Sequence, residues 1–294
     1  MTELVDVILG GTFHAAVLFL VAAGLQLVFG VQKIINLACG SFYALGAYFG
    51  ITALTWALKL QLPVATFIPI LIASGLLLAV VLGPTVERLL RFVYHRDEHF
   101  QLLLTFALVL VFEDIIKIFW GASPLQTNNV YFAFGELTLA HNVTVPNYNL
   151  IVIAISLAIS LGFGWFLQAT RFGKIVRATA ENAAMCEALC IDLSKVYVAV
   201  FTLGVALGTV GGALVVPAAA ASLDMGVELI VDAFAVVIIG GLGSMPGALV
   251  GALVVGLIRA AAIWLYPEFE MLAIYVIVIA VLILRPRGLL GKSA

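Results

Sequence analysis

Residues 237–251, VIIGGLGSMPGALVG, decide how this chain folds. The stretch is apolar enough to lie in a bilayer, yet Gly240, Gly241, Gly243, Pro246 and Gly247 interrupt it in the middle. A membrane helix opens only where protein or a cavity supplies partners for the freed backbone groups. A second glycine-punctuated segment, residues 30–50 (GVQKIINLACGSFYALGAYFG), lies near the other end of the chain. Interrupted hydrophobic segments in both halves of a membrane protein point to a transport path between repeats. The expected fold is all-α: a polytopic membrane helix bundle with interrupted helices and an inverted internal repeat, in one transmembrane domain over residues 1–294.

Working outward, the rest of the chain has the same character. It is 64% hydrophobic and 10% charged, where soluble domains hold roughly 45–50% apolar and 25% charged residues. Hydrophobic runs place spans near 7–31, 37–58, 63–83, 102–120, 150–169, 196–216, 247–265 and 271–284. A short segment, 229–239, covers too few residues to cross a core of about 30 Å and reads as a half-helix or re-entrant piece. The amino terminus, MTELVDVILGG, is acidic and lacks the basic region of a signal peptide. Cys39, Cys186 and Cys190 are too few for a disulfide framework. Cys186 and Cys190 stand four apart, as two ligands on one helix face would, but with no His nearby inert thiols are the better reading.

Lysine and arginine give an orientation. With alternating spans, Lys33, Arg88, Arg91, Arg96, Arg171, Lys174, Arg177, Lys195, Arg285, Arg287 and Lys292 fall on one side. The opposite loops carry Glu3, Asp6, Glu136, Asp224, Glu228, Glu268 and Glu270, with Lys59 the one basic residue. The amino terminus is therefore expected outside and the carboxyl terminus in the cytoplasm, with nine crossings if the short segment counts as one. The large outer loop, 121–149, is polar and contains a nominal sequon at Asn142. The large inner loop, 170–195, reads TRFGKIVRATAENAAMCEALCIDLSK. Within it 179–189 reads as helical, with Thr179 able to cap the first turn. Met185, Ala188 and Leu189 form an apolar patch at i, i+3 and i+4, with Glu181 and Glu187 away from it. Composition alone favours a solvated connector over a docking knob.

Ionisable groups inside a membrane are functional candidates, since burial costs at least about 2.5–3.5 kcal/mol there. Glu113 and Asp114 precede Lys117 by four and three residues, which suits an internal ion pair better than solute contact. Asp232 either caps the short segment or lines an outer vestibule. Arg259 snorkels or pairs with a carboxylate such as Asp232, and His14 reads as a hydrogen bonder between helices. Asn36 reads first as a partner for opened backbone, with ligand contact the lesser alternative. Gly204, Gly208 and Gly212 are small-xxx-small positions for close helix packing. No enzyme site is present: the tail Gly288-LLGKS has Pro286 where a phosphate loop needs glycine. The chain cannot hydrolyse ATP itself.

Three regions resemble the permease subunits of branched-chain amino acid ABC importers (high-affinity, Liv-type). They are residues 29–48 (FGVQKIINLACGSFYALGAY), 103–121 (LLTFALVLVFEDIIKIFWG), and 239–257 (IGGLGSMPGALVGALVVGL) with the closing RPRGLLG at 285–291. The resemblance runs over nearly the whole chain and keeps the order of the blocks. It implies that the inner loop is the coupling helix docking into an ATPase, with Thr179, Glu181, Ala184, Met185, Glu187, Ala188, Leu189 and Asp192 as the coupling residues. This chain departs from the family at three places: Cys39 replaces a common His, Asp232 a common basic residue, and Cys190 a usual glycine.

The resulting expectation is a bacterial-type inner-membrane permease moving branched-chain or other apolar amino acids. Its partners would be a homologous second permease, two ATP-binding subunits and an extracytoplasmic solute-binding protein, within a lipid bilayer and without nucleic acid. The chain itself would bind no cofactor and no metal; ATP-Mg would sit in the partner subunits. The path would be lined by Asn36, Cys39, Gly40, Ser41, Asp232, Gly240, Gly241, Gly243, Ser244 and Gly247. The alternatives are the same importer for an amide, urea or aromatic acid, or an ion-coupled secondary carrier. The carrier would need a mid-membrane ion-binding cluster, whereas the acidic residues lie mainly near span ends. A non-transporting scaffold is disfavoured by the interrupted segments.

Overall fold

A computed structural model describes residues 2–94, 96–139, 143–241, 243–285 and 288–290. Twelve α-helices lie within them: α1 (Thr2–Gln32), α2 (Cys39–Lys59), α3 (Phe67–Leu90), α4 (Glu98–Trp120), α5 (Asn128–Ala133), α6 (Asn147–Ala169), α7 (Arg171–Glu181), α8 (Ala183–Ala188), α9 (Leu193–Val215), α10 (Met225–Gly240), α11 (Met245–Leu265) and α12 (Glu270–Leu284). The fold is an all-α polytopic membrane bundle. Six helical stretches, Val7–Gln32, Cys39–Lys59, Val64–Val93, Asn147–Ala169, Leu193–Val215 and Met245–Leu265, are long and apolar enough to cross a membrane. Helix α4 also runs 23 residues, with Glu113, Asp114 and Lys117 near its end. The sequon at Asn142, Arg287, Lys292 and the GKS tail lie outside the described residues.

Close contacts fix the helix directions. Gly24 of α1 meets Gly204 of α9, and Gln32 bonds the carbonyl of Tyr197, so α1 and α9 run antiparallel. Gly11 meets Gly256, which sets α11 antiparallel to α1 as well. Gly46 and Gly50 of α2 meet Thr209 and Ala213 of α9 in parallel register. Helices α1, α2, α9 and α10 form the centre; Leu18, Leu20, Phe42, Tyr48, Phe201 and Leu214 are fully buried there. The outer helices α3, α4, α6, α11 and α12 turn leucines and phenylalanines outward, as a bilayer requires. Of the predicted small-residue positions, Gly204 and Gly212 sit against backbone, while Gly208 makes ordinary contact with Phe42 and Cys39.

This up-and-down trace places Lys33, Arg91, Arg96, Arg171, Lys174, Arg177, Lys195 and Arg285 at one end of the bundle, hereafter the basic end. Glu136, Asp224, Glu228, Glu268 and Glu270 lie at the other, acidic end.

Two sequence readings need correction. The short segment is α10, 16 residues from Met225, so Asp232 stands in its middle and caps nothing. Its length of about 24 Å is still below that of a full span. The loop expected over 121–149 is partly ordered, holding α5 and a hairpin of β1 (Glu136–Leu139) against β2 (Val143–Pro146). Alternation over ELTL and VTVP was the available signal for that hairpin.

Candidate functional site

The glycine break opens at the end of α10. Gly241 (φ 96°) and Gly243 (φ 80°) turn the chain through conformations that a Cβ disfavours. Ser244 then caps α11 by accepting from Gly247 N (3.2 Å). Gly240 and Gly247 touch backbone to backbone, so α10 and α11 form a hairpin that no larger residue could enter. The freed groups are taken up by the protein itself. Gln26 of α1 donates from Nε2 to Gly241 O (2.9 Å) and accepts at Oε1 from Gly243 N (2.6 Å). The tail supplies two more bonds, from Leu289 N to Ile239 O (2.7 Å) and Leu290 N to Gly240 O (3.2 Å). Gln26 precedes the end of α1 by six residues, about 9 Å, so the break lies inside the bundle.

The other interruption, residues 33–38, joins α1 to α2 without helix. Asn36 is buried, and its Oδ1 accepts from Ala38 N (3.0 Å), holding the turn that starts α2. Cys39, Gly40 and Ser41 follow, all buried, with Gly40 pressed on the backbone of Gly226 in α10. The two interruptions thus meet different parts of α10: its first turns here, its end at Gly241. In this conformation Asn36, Cys39, Gly40, Ser41, Gly240, Gly241 and Gly247 are closed by packing, Gly243 is exposed and Ser244 half-buried.

Asp232, itself buried, belongs to a partly buried ionic cluster where α1, α10, α11 and α12 meet. Arg259 Nη1 donates to Asp232 Oδ2 (2.6 Å) and its Nε pairs with Glu270. The same Nη1 lies 2.9 Å from His14 Nε2. An arginine can only donate, so in this contact His14 Nε2 accepts and the ring carries its N–H on Nδ1; Nε2 also stands 3.6 Å from Asp232 Oδ2. Glu228, Val231, Ile274 and Tyr275 close a small cleft against this cluster. A groove of about 540 Å³ opens on its other side, between α1 and α11. The expected pairing of Arg259 with Asp232 is present, as is that of Lys117 with Glu113 (2.7 Å).

At the basic end the loop 170–195 folds as two helices rather than one. Thr170 caps α7 through Gly173 N (3.0 Å), and Asn182 caps α8 through Met185 N (2.9 Å). Thr179 therefore caps nothing: it is buried in α7, with its hydroxyl unpartnered among the described residues. Glu181, Ala184, Met185, Glu187, Ala188, Leu189 and Asp192 are all exposed. Met185 and Leu189 present 59% and 66% of their surface to solvent, so the apolar patch is uncovered among the described residues. Cys186 is buried and Cys190 exposed, so the two thiols share no face. Asp192 caps α9 and pairs with Lys195 (3.1 Å); that side-chain bond, then the Lys195 N–H, holds its carboxyl below the usual range.

Cys190 takes the left-handed conformation (φ 61°). Ile191 N bonds Cys186 O (3.1 Å) and Cys190 N bonds Glu187 O (2.9 Å), a Schellman ending that favours glycine. Cys190→Gly should stabilise this turn by about 0.5–1 kcal/mol, the left-handed strain less the added freedom of glycine when unfolded. Slower amide exchange over 183–191 is the expected result.

Two groups escaped the sequence reading. Gln26 gave no signal beyond being one polar residue in an apolar helix. Glu87 is fully buried at the end of α3, bound by Arg91 Nε (2.8 Å) and Tyr94 OH (3.2 Å). Arg91 also bonds the carbonyl of Ser194 (3.0 Å), which ties this clamp to the start of α9. The Glu87–Arg91 spacing of i, i+4 was the available signal.

Residues 7–282 match the family described as branched-chain amino acid transport system / permease component. The permease protein BraD of a high-affinity branched-chain amino acid transport system of Pseudomonas aeruginosa is 23% identical, over 99% of this chain and 96% of that protein. LivH, described likewise, from Escherichia coli K12 is 24% identical over 97% and 93%. The ribose import permease protein RbsC of Haemophilus influenzae is 25% identical over 87% and 77%. No solved structure matches the chain.

Proposed function

Because the chain belongs to the family of branched-chain amino acid transport system permease components, we propose that it is the membrane subunit of an ATP-driven importer for apolar amino acids. The observation that carries this reading is the α7–α8 projection. It holds Met185, Ala188 and Leu189 outward at the basic end, where nothing among the described residues covers them. A secondary carrier has no use for such a knob, whereas a subunit driven by an ATPase needs one.

In this proposal the basic end faces the cytoplasm of a bacterial-type inner membrane. Two ATP-binding subunits grip α7–α8 of this chain and of a homologous second permease. Both hydrolysis and the ATP-Mg that it consumes belong to those partners. A solute-binding protein docks on the acidic end outside. The clamp of Arg91 on Ser194 passes movement of the loop to α3. At the inner break, α10 and α11 move as a hairpin stapled to α1 by Gln26. Asn36, Cys39, Gly40 and Ser41 line the path once α2 and α10 separate.

An apolar amino acid fits better than a sugar. A sugar needs a hydrogen-bond partner for each hydroxyl, and the buried polar side chains here are few and mostly bound within the protein. Uptake of leucine into proteoliposomes holding the full complex, dependent on ATP and on the binding protein, tests the reading. Uptake by this chain alone under an ion gradient would sink it. Glu181→Lys with Glu187→Lys should reduce ATPase co-purification about tenfold or more by reversing two exposed charges of the docking segment. Unchanged association and transport would refute the docking role.

A further inference from the structure

We propose that the groove between α1 and α11 is the outer mouth of the solute path, where His14 Nδ1 and Arg259 Nη2 hold the carboxylate of a zwitterionic amino acid. The proposal rests on the importer reading above and adds a binding site to it. The groove, about 540 Å³, is lined by Val7, Gly10, Phe13, His14, Arg259 and Trp264, among others. That volume lies within the roughly 300–1,000 Å³ of small-molecule sites.

Its chemistry is unsuited to lipid. This flank exposes part of a guanidinium and an imidazole, at 23% and 27% of their side-chain surface; the charges that α4 exposes, Glu113, Asp114 and Lys117, pair with one another instead. Arg259 does not snorkel toward the headgroups; it is folded inward on Asp232 and Glu270. A charge on a hydrocarbon-facing flank is strongly unfavourable, and such groups face water or protein instead.

Both side chains keep a donor free. Arg259 spends Nη1 on Asp232 and His14, and Nε on Glu270, which leaves Nη2 without a partner among the described residues. His14 spends Nε2 on Arg259, so its Nδ1–H has none either. Two N–H donors therefore stand in an apolar groove, the arrangement that takes the oxygen end of a solute with an aliphatic body. Local charge narrows the class. Three carboxylates, Asp232, Glu270 and Glu228, gather around the single guanidinium of Arg259. A simple carboxylate would meet a net negative cluster, while a zwitterion brings its own ammonium to balance it.

Gly10→Cys tests the assignment, because a Cβ at Gly10 has open space around it. Cys39 and Cys186 are buried, and Cys190 lies at the opposite end of the bundle. In membranes carrying the complete transporter, a membrane-impermeant thiol reagent added outside should label Gly10→Cys. A control on the lipid flank, Leu161→Cys, should stay unlabelled. Leucine should slow labelling at least fivefold, whereas 4-methylpentanoate and 3-methylbutylamine, which lack its ammonium and its carboxylate respectively, should not. His14→Ala should raise the half-saturating leucine concentration about tenfold at little-changed maximal rate, and His14→Gln should recover most of it. Labelling no faster than at Leu161→Cys, protection by the acid or the amine as strong as by leucine, or unaltered half-saturation in His14→Ala would each overturn the site. Labelling needs no transport. An accessible Gly10→Cys without leucine uptake would therefore refute the amino-acid reading and with it the zwitterion. A silent Gly10→Cys in a transporter that imports leucine refutes only the groove.

Discussion

Gln26→Leu is expected to cost about 1–4 kcal/mol of stability: about 1–3 kcal/mol for the buried Gly241 carbonyl left without a partner, and at most about 1 kcal/mol for the N–H of the exposed Gly243. The side chain is 2% exposed and satisfies Gly241 O and Gly243 N at once. Leucine fills similar space but bonds neither; Gly241 is buried and its carbonyl has no route to water, whereas Gly243 is exposed. Gln26→Glu should do nearly as badly: it keeps an acceptor for Gly243 N but sets a carboxylate against the Gly241 carbonyl. Gln32→Leu is the contrast. Gln32 donates to Tyr197 O, and its own Oε1 is already unpartnered among the described residues, so only one bond is lost. Thermal unfolding of the purified permease in detergent reads all three. Equal loss in Gln26→Leu and Gln32→Leu would mean that the staple does not hold the hairpin.

That staple also marks where sequence reading stops. The spans were legible because an apolar run of about 20 residues has few other uses, and the break because glycines at 240, 241, 243 and 247 weaken any helix. The Asp232–Arg259 pair was legible because charges are so rare in these helices that each implies a partner. Gln26 was not, since a neutral amide carries no such imbalance and its partners stand 215 and 217 positions away. The loop 170–195 was half legible. Its apolar patch followed from spacing, but the helix boundary was set at Thr179 when Asn182 caps α8. Both residues can cap; packing against α6 and α1 decides, because it buries Thr179 in the last turn of α7. Of the site, sequence pointed to Asp232 with Arg259 and, separately, to His14. That they share one cluster depends on four helices converging, which no local pattern encodes.

The cluster predicts an asymmetry that a simple ion pair would not show. Arg259→Met should destabilise by about 3–5 kcal/mol, the usual loss when a buried charge is left without its partner. Here two carboxylates, Asp232 and Glu270, lose the same cation and face each other across the space that it held. Asp232→Asn removes far less. The amide keeps an acceptor for Nη1, and Arg259 retains Glu270 as its counter-charge. About 1–2 kcal/mol is expected, the difference between a charged and a neutral acceptor. Adding Asp232→Asn to Arg259→Met should then recover part of the loss, since one of the two opposed carboxylates is gone. Unfolding of the two single variants and the double variant under one condition supplies the cycle. If the single substitutions cost the same and simply add, Arg259 and Asp232 are independent, and the cluster is not the unit that joins α1, α10, α11 and α12 at the acidic end.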